Sequence, residues 1–308
     1  MDLVAMGEFG VLRRLTVPSI PRGGGTVTVT GEVVDLYGSP LFLAIALSRL
    51  GLSASVIGPL GNDPESAMLQ ATLAEAGVDA SNLVTKRGRI AERIAVTDGN
   101  ETLTFIHPGT SDELQLGDVN LSTVEGSKYV YLGAASGDKQ LWLQKQLVSG
   151  LKETRLVLDL REHHGRGLEE IRALLQRCEI VFGDEAVLED MTGEAYPRSC
   201  TSLLDEGCRM VAVFLHGSDG SLLDRNGEHL ARMATEVGGP HSYEAFMAGV
   251  LFGLHRDEAP DMCIELGCRA ADLHATSDDG AFPTREELLS AMAAPPSGVN
   301  DVDFVAEP

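Results

Sequence analysis

The sequence is short of lysine and has no long apolar run. Only five of its 24 basic residues are lysine, and 46 acidic residues give a formal net charge of −22, which disfavours binding to nucleic acid or to an anionic membrane surface. Apolar stretches such as residues 41–47 are far shorter than the roughly 20 residues of a membrane-spanning helix. The first residues, MDLV, lack the basic segment of a signal peptide. We therefore expect a soluble, cytoplasmic protein that binds neither nucleic acid nor membrane.

The five cysteines form no metal-binding or disulfide pattern. No pair has the C-x-x-C spacing, and the other spacings match no zinc template. An odd number of cysteines in a chain without an export signal is typical of reduced, buried thiols. The sequence therefore predicts no metal-ligating residue and no disulfide framework. The cysteines are Cys178, Cys200, Cys208, Cys263 and Cys268.

Apolar periodicity changes in character near Gly109. Before it, alternating Thr and Val over residues 26–34 and a hairpin over residues 90–106 predict short, half-exposed strands. After it, buried strands alternate with helices, which predicts an α/β fold with a mostly parallel sheet covered by helices on both faces. The earlier strands then form a small separate β-sheet. The main predicted strands after Gly109 are 129–132, 156–160, 180–182 and 210–214, and the last two long helices are 243–254 and 261–275.

Six short segments occur in an order that matches one known family. They read LAIALSRLG (43–51), IGPLGND (57–63), AGVD (76–79), MTG (191–193), EAFMAG (244–249) and PTREE (283–287). Together they resemble the PfkB/ribokinase-like family of sugar and nucleoside kinases, over about residues 2–292.

The resemblance implies a fold and an activity. The fold is a ribokinase-like, Rossmann-type α/β domain over residues 1–292, with a β lid formed by about residues 12–36 and 88–107, followed by a frayed tail over residues 293–308. The activity is ATP-dependent phosphoryl transfer, with Mg²⁺, to a hydroxyl group of a small sugar-like or nucleoside-like metabolite. The resemblance also implies a homodimer through the lid, which is common in the family.

The family's catalytic motif, GAGD at a helix N-terminus, corresponds to HSYE in this chain. Glu244 stands where the catalytic Asp would act as general base, and Ser242 belongs to the phosphate-binding turn. The two glycines that let backbone N–H groups converge on a phosphate are replaced by His241 and Tyr243. The alternative is an ordinary helix start, with Ser242 as N-cap and Glu244 stabilised by the helix dipole.

The family's sugar-binding motif, GGxxxN, corresponds to residues 37–42, in which only Gly38 is retained. Phe42 stands at the Asn position, so an apolar ring replaces a polar contact to a sugar hydroxyl. The Asp that the resemblance places shortly after Gly7 is also missing, and Asp35 is a candidate substitute unless its side chain simply faces solvent. The resemblance thus assigns Asp35, Gly38 and Phe42 to an altered acceptor site.

The nucleotide-binding motifs are altered as well. The family's NxxE motif corresponds to DEAV, in which Asp184 could serve as an oxygen ligand but Val187 cannot replace Glu. Alternatively, Asp184 only caps the helix that follows. Gly217 and Gly220 retain the glycines of the nucleotide-binding turn, whereas Leu215 stands where the family has a Thr that helps to hold ATP. These changes predict weak affinity for ATP.

A cationic loop, REHHGR, follows the predicted strand 156–160. It resembles the family's DxNxR segment, with Asp159 and Arg161 kept in part. Because α/β proteins form sites at the carboxyl ends of their strands, the loop could hold an anion; alternatively it is a solvated loop. The cationic candidates are Arg161, His163, His164 and Arg166.

Two classes of function remain open at this point. The first is an ATP-dependent kinase of the PfkB type with Glu244 as base. The second is a catalytically inactive relative that binds a ligand or a partner, which the changes at positions 42, 187, 215, 241 and 243 favour. An unrelated NAD-binding protein is disfavoured, because GEFG after the first strand is a poor match to GxGxxG.

Overall fold

The computed structural model describes residues 1–135, 137–163, 166–215, 219–233 and 239–293. Within these ranges the strands are β1 Leu3–Met6, β2 Gly10–Thr16, β3 Gly31–Tyr37, β4 Ala54–Leu60, β5 Leu83–Thr85, β6 Glu92–Thr97, β7 Thr102–His107, β8 Tyr129–Leu132, β9 Arg155–Asp159, β10 Cys178–Asp184, β11 Met210–Leu215, β12 Asp219–Asp224 and β13 Gly227–Arg232. The helices are α1 Ser39–Arg49, α2 Pro64–Glu75, α3 Leu121–Glu125, α4 Asp138–Gly150, α5 Leu168–Leu175, α6 Glu185–Thr192, α7 Arg198–Glu206, α8 Ser242–His255, α9 Pro260–Ala275 and α10 Arg285–Ala293.

The larger sheet has the strand order β13-β12-β11-β10-β9-β8-β1-β4-β5. Every neighbouring pair from β11 to β5 is parallel, and the hairpin of β12 and β13 extends one edge in antiparallel pairs. Along β1, Leu3 and Ala5 pack into one hydrophobic core, whereas Val4 and Met6 pack into another on the opposite face. A parallel sheet buried on both faces requires such a pattern, and the predicted fold class is confirmed.

Local sequence signals account for the ends of the first two helices. The Asp63 carboxylate accepts a hydrogen bond from the Ser66 N–H (3.0 Å), and Pro64 follows as the first helical residue of α2. Gly51, just beyond α1, has a φ of +83°, which glycine adopts without steric cost. Signals within a few residues are therefore enough to set these two ends.

Helix α8 lies in the core, which fixes the position of its N-terminal end. All its residues from Ser242 to Leu254 are buried. A Cβ added to Gly249 would lie 2.3 Å from the Leu266 carbonyl oxygen, and one added to Gly253 would lie 2.9 Å from the Cys263 Cα. Because these contacts leave no space for a larger residue, α8 packs against α9 at close range and has little freedom to shift.

Four strands form the smaller sheet, in the order β3-β2-β6-β7, and we call this sheet the lid. Strand β2 is parallel to β6, and the other pairs are antiparallel. The predicted strand over residues 26–34 begins too early, because β3 spans Gly31–Tyr37 and residues 26–30 form no strand. Strand β2 was not predicted at all, since Arg13 and Arg14 interrupt its apolar pattern.

Ion pairs accompany the unpredicted strand β2. Arg13 Nε lies 2.8 Å from Glu92 on β6, and the same guanidinium contacts Glu32 on β3 and, at 3.3 Å, Glu65 on α2. Carboxylates from three other elements therefore neutralise the Arg13 guanidinium. The order of these residues in the sequence does not reveal the pairing. The contact with Glu65 also links the lid to the main domain.

Three remaining sequence features can be placed. All five cysteines are buried, and burial raises the pKa of the Cys200 thiol to about 11, so this thiol is in its unreactive form near neutral pH. Among the described residues, no helix combines the length and the apolar character needed to cross a membrane. The predicted tail lies outside the described residues beyond Ala293, where α10 ends.

Candidate active site

A cleft of about 830 Å³ lies between the lid and the N-terminal end of α8. The lid contributes Arg14 on β2 and Arg93 on β6 to its walls, and the C-terminal end of α9 contributes His274. The cleft also gathers six residues that the sequence singled out in separate motifs. They are Asp35, Gly38, Phe42, Arg161, Ser242 and Glu244.

Glu244 stands in the first turn of α8 and is largely buried. Its Oε1 accepts a hydrogen bond from the Ser39 hydroxyl (2.7 Å), and its Oε2 lies 3.7 Å from His241 Nδ1. Burial alone would raise the pKa of Glu244, but the interactions with His241 and Ser39 outweigh burial and hold the pKa below its usual value. Glu244 is therefore ionised near neutral pH, which is the form that can accept a proton.

His241, not Ser242, is the N-cap of α8, so the alternative that placed the cap at Ser242 is wrong in this detail. His241 has φ 65° and ψ 7°, in the left-handed region that glycine occupies freely and histidine occupies at some cost. Its ring lies flat against that of Phe42, with 3.6 Å between centroids. The backbone thus keeps a conformation suited to the family's glycine, while the side chain packs into the cleft wall.

Ser242 is buried, and its hydroxyl has no hydrogen-bond partner among the described residues. It is the first residue of α8, where the helix leaves backbone N–H groups without intrahelical partners. A buried hydroxyl that is unpaired in this way would gain a hydrogen bond from a polar ligand group in the cleft. This end of α8 therefore suits an anionic oxygen, as a phosphate would provide.

Behind the cleft, Asp159 is fully buried at the end of β9. Its carboxylate accepts hydrogen bonds from the hydroxyls of Tyr131 (3.0 Å) and Tyr243 (3.1 Å), and from the Arg161 backbone N–H (3.0 Å). Burial and the neighbouring Asp159 charge raise the pKa of Tyr243 well above its usual value, so its hydroxyl stays a donor. Sequence analysis missed this network; the only local signal was an Asp ending an apolar strand.

Arg161 is the member of the predicted cationic loop that reaches the cleft. Its guanidinium lies over the Tyr243 ring, 3.8 Å from the centroid, and its Nε is 3.6 Å from Asp184 Oδ2. Arg166 instead pairs with acidic residues on α4 and α5, and His163 is buried. The predicted cluster is therefore not assembled by the described residues, and its fourth candidate, His164, lies outside them.

Asp184 caps α6, since its Oδ1 accepts the Val187 N–H at 2.9 Å. Its other oxygen, Oδ2, lies 3.6 Å from Arg161 Nε and so has a cation of the protein beside it. The described residues contain no group of three or more His, Cys, Asp or Glu side chains placed to hold a metal. They therefore do not fit the Mg²⁺ that the resemblance implies as a protein-held ion.

The two glycines assigned to the nucleotide-binding turn have different outcomes. Gly217 lies outside the described residues. Gly220 is not in a turn but in β12, opposite Phe214, and an added Cβ would lie 2.6 Å from Cys268 Sγ and 2.8 Å from the Phe246 ring. Packing against α8 and α9 is thus enough to require glycine at this position.

On the lid side of the cleft, polar groups are paired with each other. Asp35 forms an ion pair with Arg14, and both side chains are about half exposed. Glu8 accepts hydrogen bonds from Tyr37 (3.1 Å) and Arg93 (3.1 Å). These pairs line the same cleft as Glu244, and their polar groups suit an acceptor with several hydroxyl groups.

The backbone between the lid and α1 is tightly constrained at Gly38. Its φ is 116°, and an added Cβ would lie 2.5 Å from the Glu8 carbonyl oxygen. Glycine is therefore required there by conformation and by space. Ser39, the next residue, is placed against Glu244 by this turn, and sequence analysis did not single it out.

Comparisons with known proteins identify a family and a fold. A family model described as "pfkB family carbohydrate kinase" matches residues 18–239. A protein named "Uncharacterized sugar kinase" from Archaeoglobus fulgidus is 24% identical over 231 residues, covering 72% of this chain and 91% of its own. A 5-dehydro-2-deoxygluconokinase from Geobacillus kaustophilus is 23% identical, covering 94% and 92%. The structure of Arabidopsis thaliana ribokinase complexed with ribose and ATP has a TM-score of 0.83 and 17% identity, covering 96% and 99%.

Proposed function

The chain belongs to the pfkB family of carbohydrate kinases, and on that premise we propose that it transfers the γ-phosphoryl group of ATP to a hydroxyl of a small sugar-like or nucleoside-like metabolite. The observation that carries the proposal is Glu244: an ionised carboxylate in the first turn of α8, lining a cleft closed on one side by the lid. A general base for a hydroxyl acceptor needs this charge state and this access.

In the proposed reaction, an acceptor hydroxyl in the cleft gives its proton to Glu244. Its oxygen forms a bond to the γ-phosphorus, and the bond from that phosphorus to the bridging oxygen breaks, so that ADP leaves. In this proposal the buried Ser242 hydroxyl, which is unpaired among the described residues, and the N-terminal end of α8 contact the transferred group. Mg²⁺ would accompany ATP on its phosphates, where it neutralises charge, since the described residues do not fit as its ligands.

For the acceptor, we propose that the lid wall supplies polar contacts and the opposite wall an apolar platform. Asp35 is the candidate hydrogen-bond acceptor for a substrate hydroxyl, and the stacked rings of Phe42 and His241 provide a flat surface. Gly38 also lines the cleft, next to Ser39. Since Phe42 replaces the family's polar contact, the acceptor is proposed to bind in an altered position.

We also propose that the protein is cytoplasmic and that its lid forms a homodimer. Three apolar side chains of β7 are exposed, namely Leu103, Phe105 and Ile106. Strand β7 lies at the edge of the lid, and exposed apolar side chains at a sheet edge are typical of a surface that binds another protein. Sedimentation equilibrium would test the dimer, and Phe105→Glu is expected to yield a monomer.

A catalytically inactive relative that binds a ligand or partner remains the second candidate, because Phe42 and His241 occupy positions where the family has a polar residue and a glycine. The test is phosphoryl transfer from MgATP across a panel of sugars and nucleosides. We expect wild-type turnover and a loss of about 100-fold or more in Glu244→Gln, with little change in melting temperature.

The matched control is Glu286→Gln, an exposed glutamate in the first turn of α10 outside the cleft, which should leave turnover unchanged. Full turnover in Glu244→Gln would eliminate Glu244 as the base. Absence of wild-type turnover across the panel would favour the inactive relative.

A further inference from the structure

Arg161 lies against the N-terminal end of α8. Its guanidinium stacks on the Tyr243 ring at 3.8 Å, and the Tyr243 hydroxyl is bound to Asp159. The backbone N–H of Arg161 donates to the same carboxylate. Since Asp159 is fully buried at the end of β9, both the ring and the arginine that covers it are anchored to the central sheet.

The charged end of Arg161 nevertheless remains accessible. Its side chain is 38% exposed and lines the cleft together with Glu244. The ion pair with Asp184 spans 3.6 Å, which is longer than a hydrogen bond, so this pair does not occupy a guanidinium N–H. On the lid side, by contrast, Arg93 donates a hydrogen bond to Glu8 at 3.1 Å.

Arg161 lies beside the motif whose glycines are replaced, where it can add a contact to the transferred group. The resemblance expects glycines at positions 241 and 243, whose N–H groups would converge on the transferred phosphoryl group. Here Tyr243 fills one of these positions, and its ring supports a guanidinium instead. A guanidinium is planar, permanently charged and able to bind two phosphate oxygens at once, so it can replace a set of backbone donors.

We propose that Arg161 is a catalytic residue that contacts the γ-phosphoryl group during transfer, and that Tyr243 is the positioning residue that holds it there. The inference rests on the proposed kinase function. Arg161 forms no covalent bond: the acceptor oxygen bonds to phosphorus, the bond to the bridging oxygen of ADP breaks, and the acceptor proton goes to Glu244. Arg161 neutralises the charge on the oxygens of the phosphoryl group between these two bonds.

The test compares Arg161→Gln and Arg161→Lys with Arg209→Gln. Arg209 is an exposed arginine paired with Glu179 near the amino end of β11, whereas Arg161 follows the carboxyl end of β9. The loss of Arg209 should leave kcat within about twofold. We expect Arg161→Gln to lower kcat by about 100-fold or more, with the acceptor KM within about threefold. Arg161→Lys should recover only part of the loss, because an ammonium group lacks the planar fork that stacks on a ring and binds two oxygens in a fixed geometry.

A binding measurement separates this inference from the kinase function. Orthovanadate, a tetrahedral oxyanion, is titrated calorimetrically into each variant in the presence of ADP and Mg²⁺. We expect wild type and Arg209→Gln to bind it alike, and Arg161→Gln to bind at least tenfold more weakly. If wild type lacks turnover but this difference persists, the kinase function fails and the anion contact stands.

Three results would overturn the inference. One is a wild-type kcat in Arg161→Gln. Another is a raised acceptor KM with unchanged kcat, which would make Arg161 a residue for acceptor binding only. The third is equal orthovanadate affinity in Arg161→Gln and wild type. The positioning role of Tyr243 is tested separately. Tyr243→Phe should keep at least a fifth of the wild-type kcat, whereas the kcat of Tyr243→Leu should fall close to that of Arg161→Gln. Equal kcat values in the two Tyr243 variants would refute that role.

Discussion

Phe42 and His241 lie face to face, with ring centroids 3.6 Å apart and ring planes inclined by 25°. Phe42 stands where the family has an Asn, and His241 stands where it has a glycine. The two replacements therefore act as one structural change, because each ring packs against the other. Their contact closes part of the cleft wall beside Glu244 and keeps the His241 ring near that carboxylate.

We predict that this stack couples the two positions energetically. In a double-mutant cycle of Phe42→Ala and His241→Ala, the coupling in the free energy of unfolding should be about 0.5–1.5 kcal/mol in favour of the stacked pair. Urea denaturation measures it. A second cycle that pairs His241→Ala with Phe105→Ala, on the exposed face of β7, should be additive. Additivity in the first cycle as well would contradict the prediction.

Ser39→Ala should change the pH dependence of the reaction. The variant removes a hydrogen bond that lowers the pKa of Glu244, while burial, which raises this pKa, remains. Glu244 should then protonate at a higher pH, so the acid limb of the kcat/KM profile should shift to higher pH. Ser39→Thr should restore the wild-type limb. Ser48→Ala, which removes a hydroxyl bonded to the Ala76 carbonyl at the other end of α1, is the control. An unmoved limb in Ser39→Ala would exclude this role.

His163 should make the fold less stable in mild acid. Burial, with a smaller contribution from Arg166, lowers the pKa of His163 to about 4. Between pH 6.5 and 4 the unfolded chain therefore binds a proton that the folded chain does not, so stability falls as the pH falls through this window. The loss attributable to this group across the whole window is on the order of 3 kcal/mol.

His163→Leu should remove that part of the slope, since neither ring nitrogen has a hydrogen-bond partner in the described ranges. The measurement is urea denaturation at a series of pH values. His107→Leu, at an exposed residue of β7, should keep the wild-type slope. An equal slope in wild type and His163→Leu would refute the assignment.

ATP should bind with a dissociation constant above roughly 10 μM. This corresponds to a binding free energy less favourable than about −7 kcal/mol. Leu215 ends β11 and Val187 lies in α6, and neither side chain can contact a nucleotide through a polar atom. Leu215→Thr should tighten binding about fivefold over Leu215→Val, because the two variants have the same shape and differ by a hydroxyl. Isothermal titration with MgATP measures both. Wild-type binding tighter than roughly 10 μM would mean that other residues compensate.

The sequence by itself determined the elements whose signals are local. Residues 129–132 are an apolar run and form β8 with those bounds, and Gly51 ends α1 because glycine accepts a positive φ. The order of six motifs then identified the family and hence the fold. Strand β2 was not predicted because two arginines interrupt its apolar pattern. Glu32 and Glu92 pair with Arg13 only after the chain has folded back twice.

The tertiary structure alone decided what the site is made of. Ser39 and Glu244 are 205 positions apart, and no local pattern of either residue predicts their hydrogen bond. Similarly, the resemblance located Tyr243 as a lost glycine, but only packing revealed that its hydroxyl reaches Asp159 and its ring supports Arg161. The physical reason is that periodicity and capping act within a few residues of the chain. A parallel sheet, by contrast, brings the carboxyl ends of strands that are distant in sequence to the same side of the sheet, where their side chains meet.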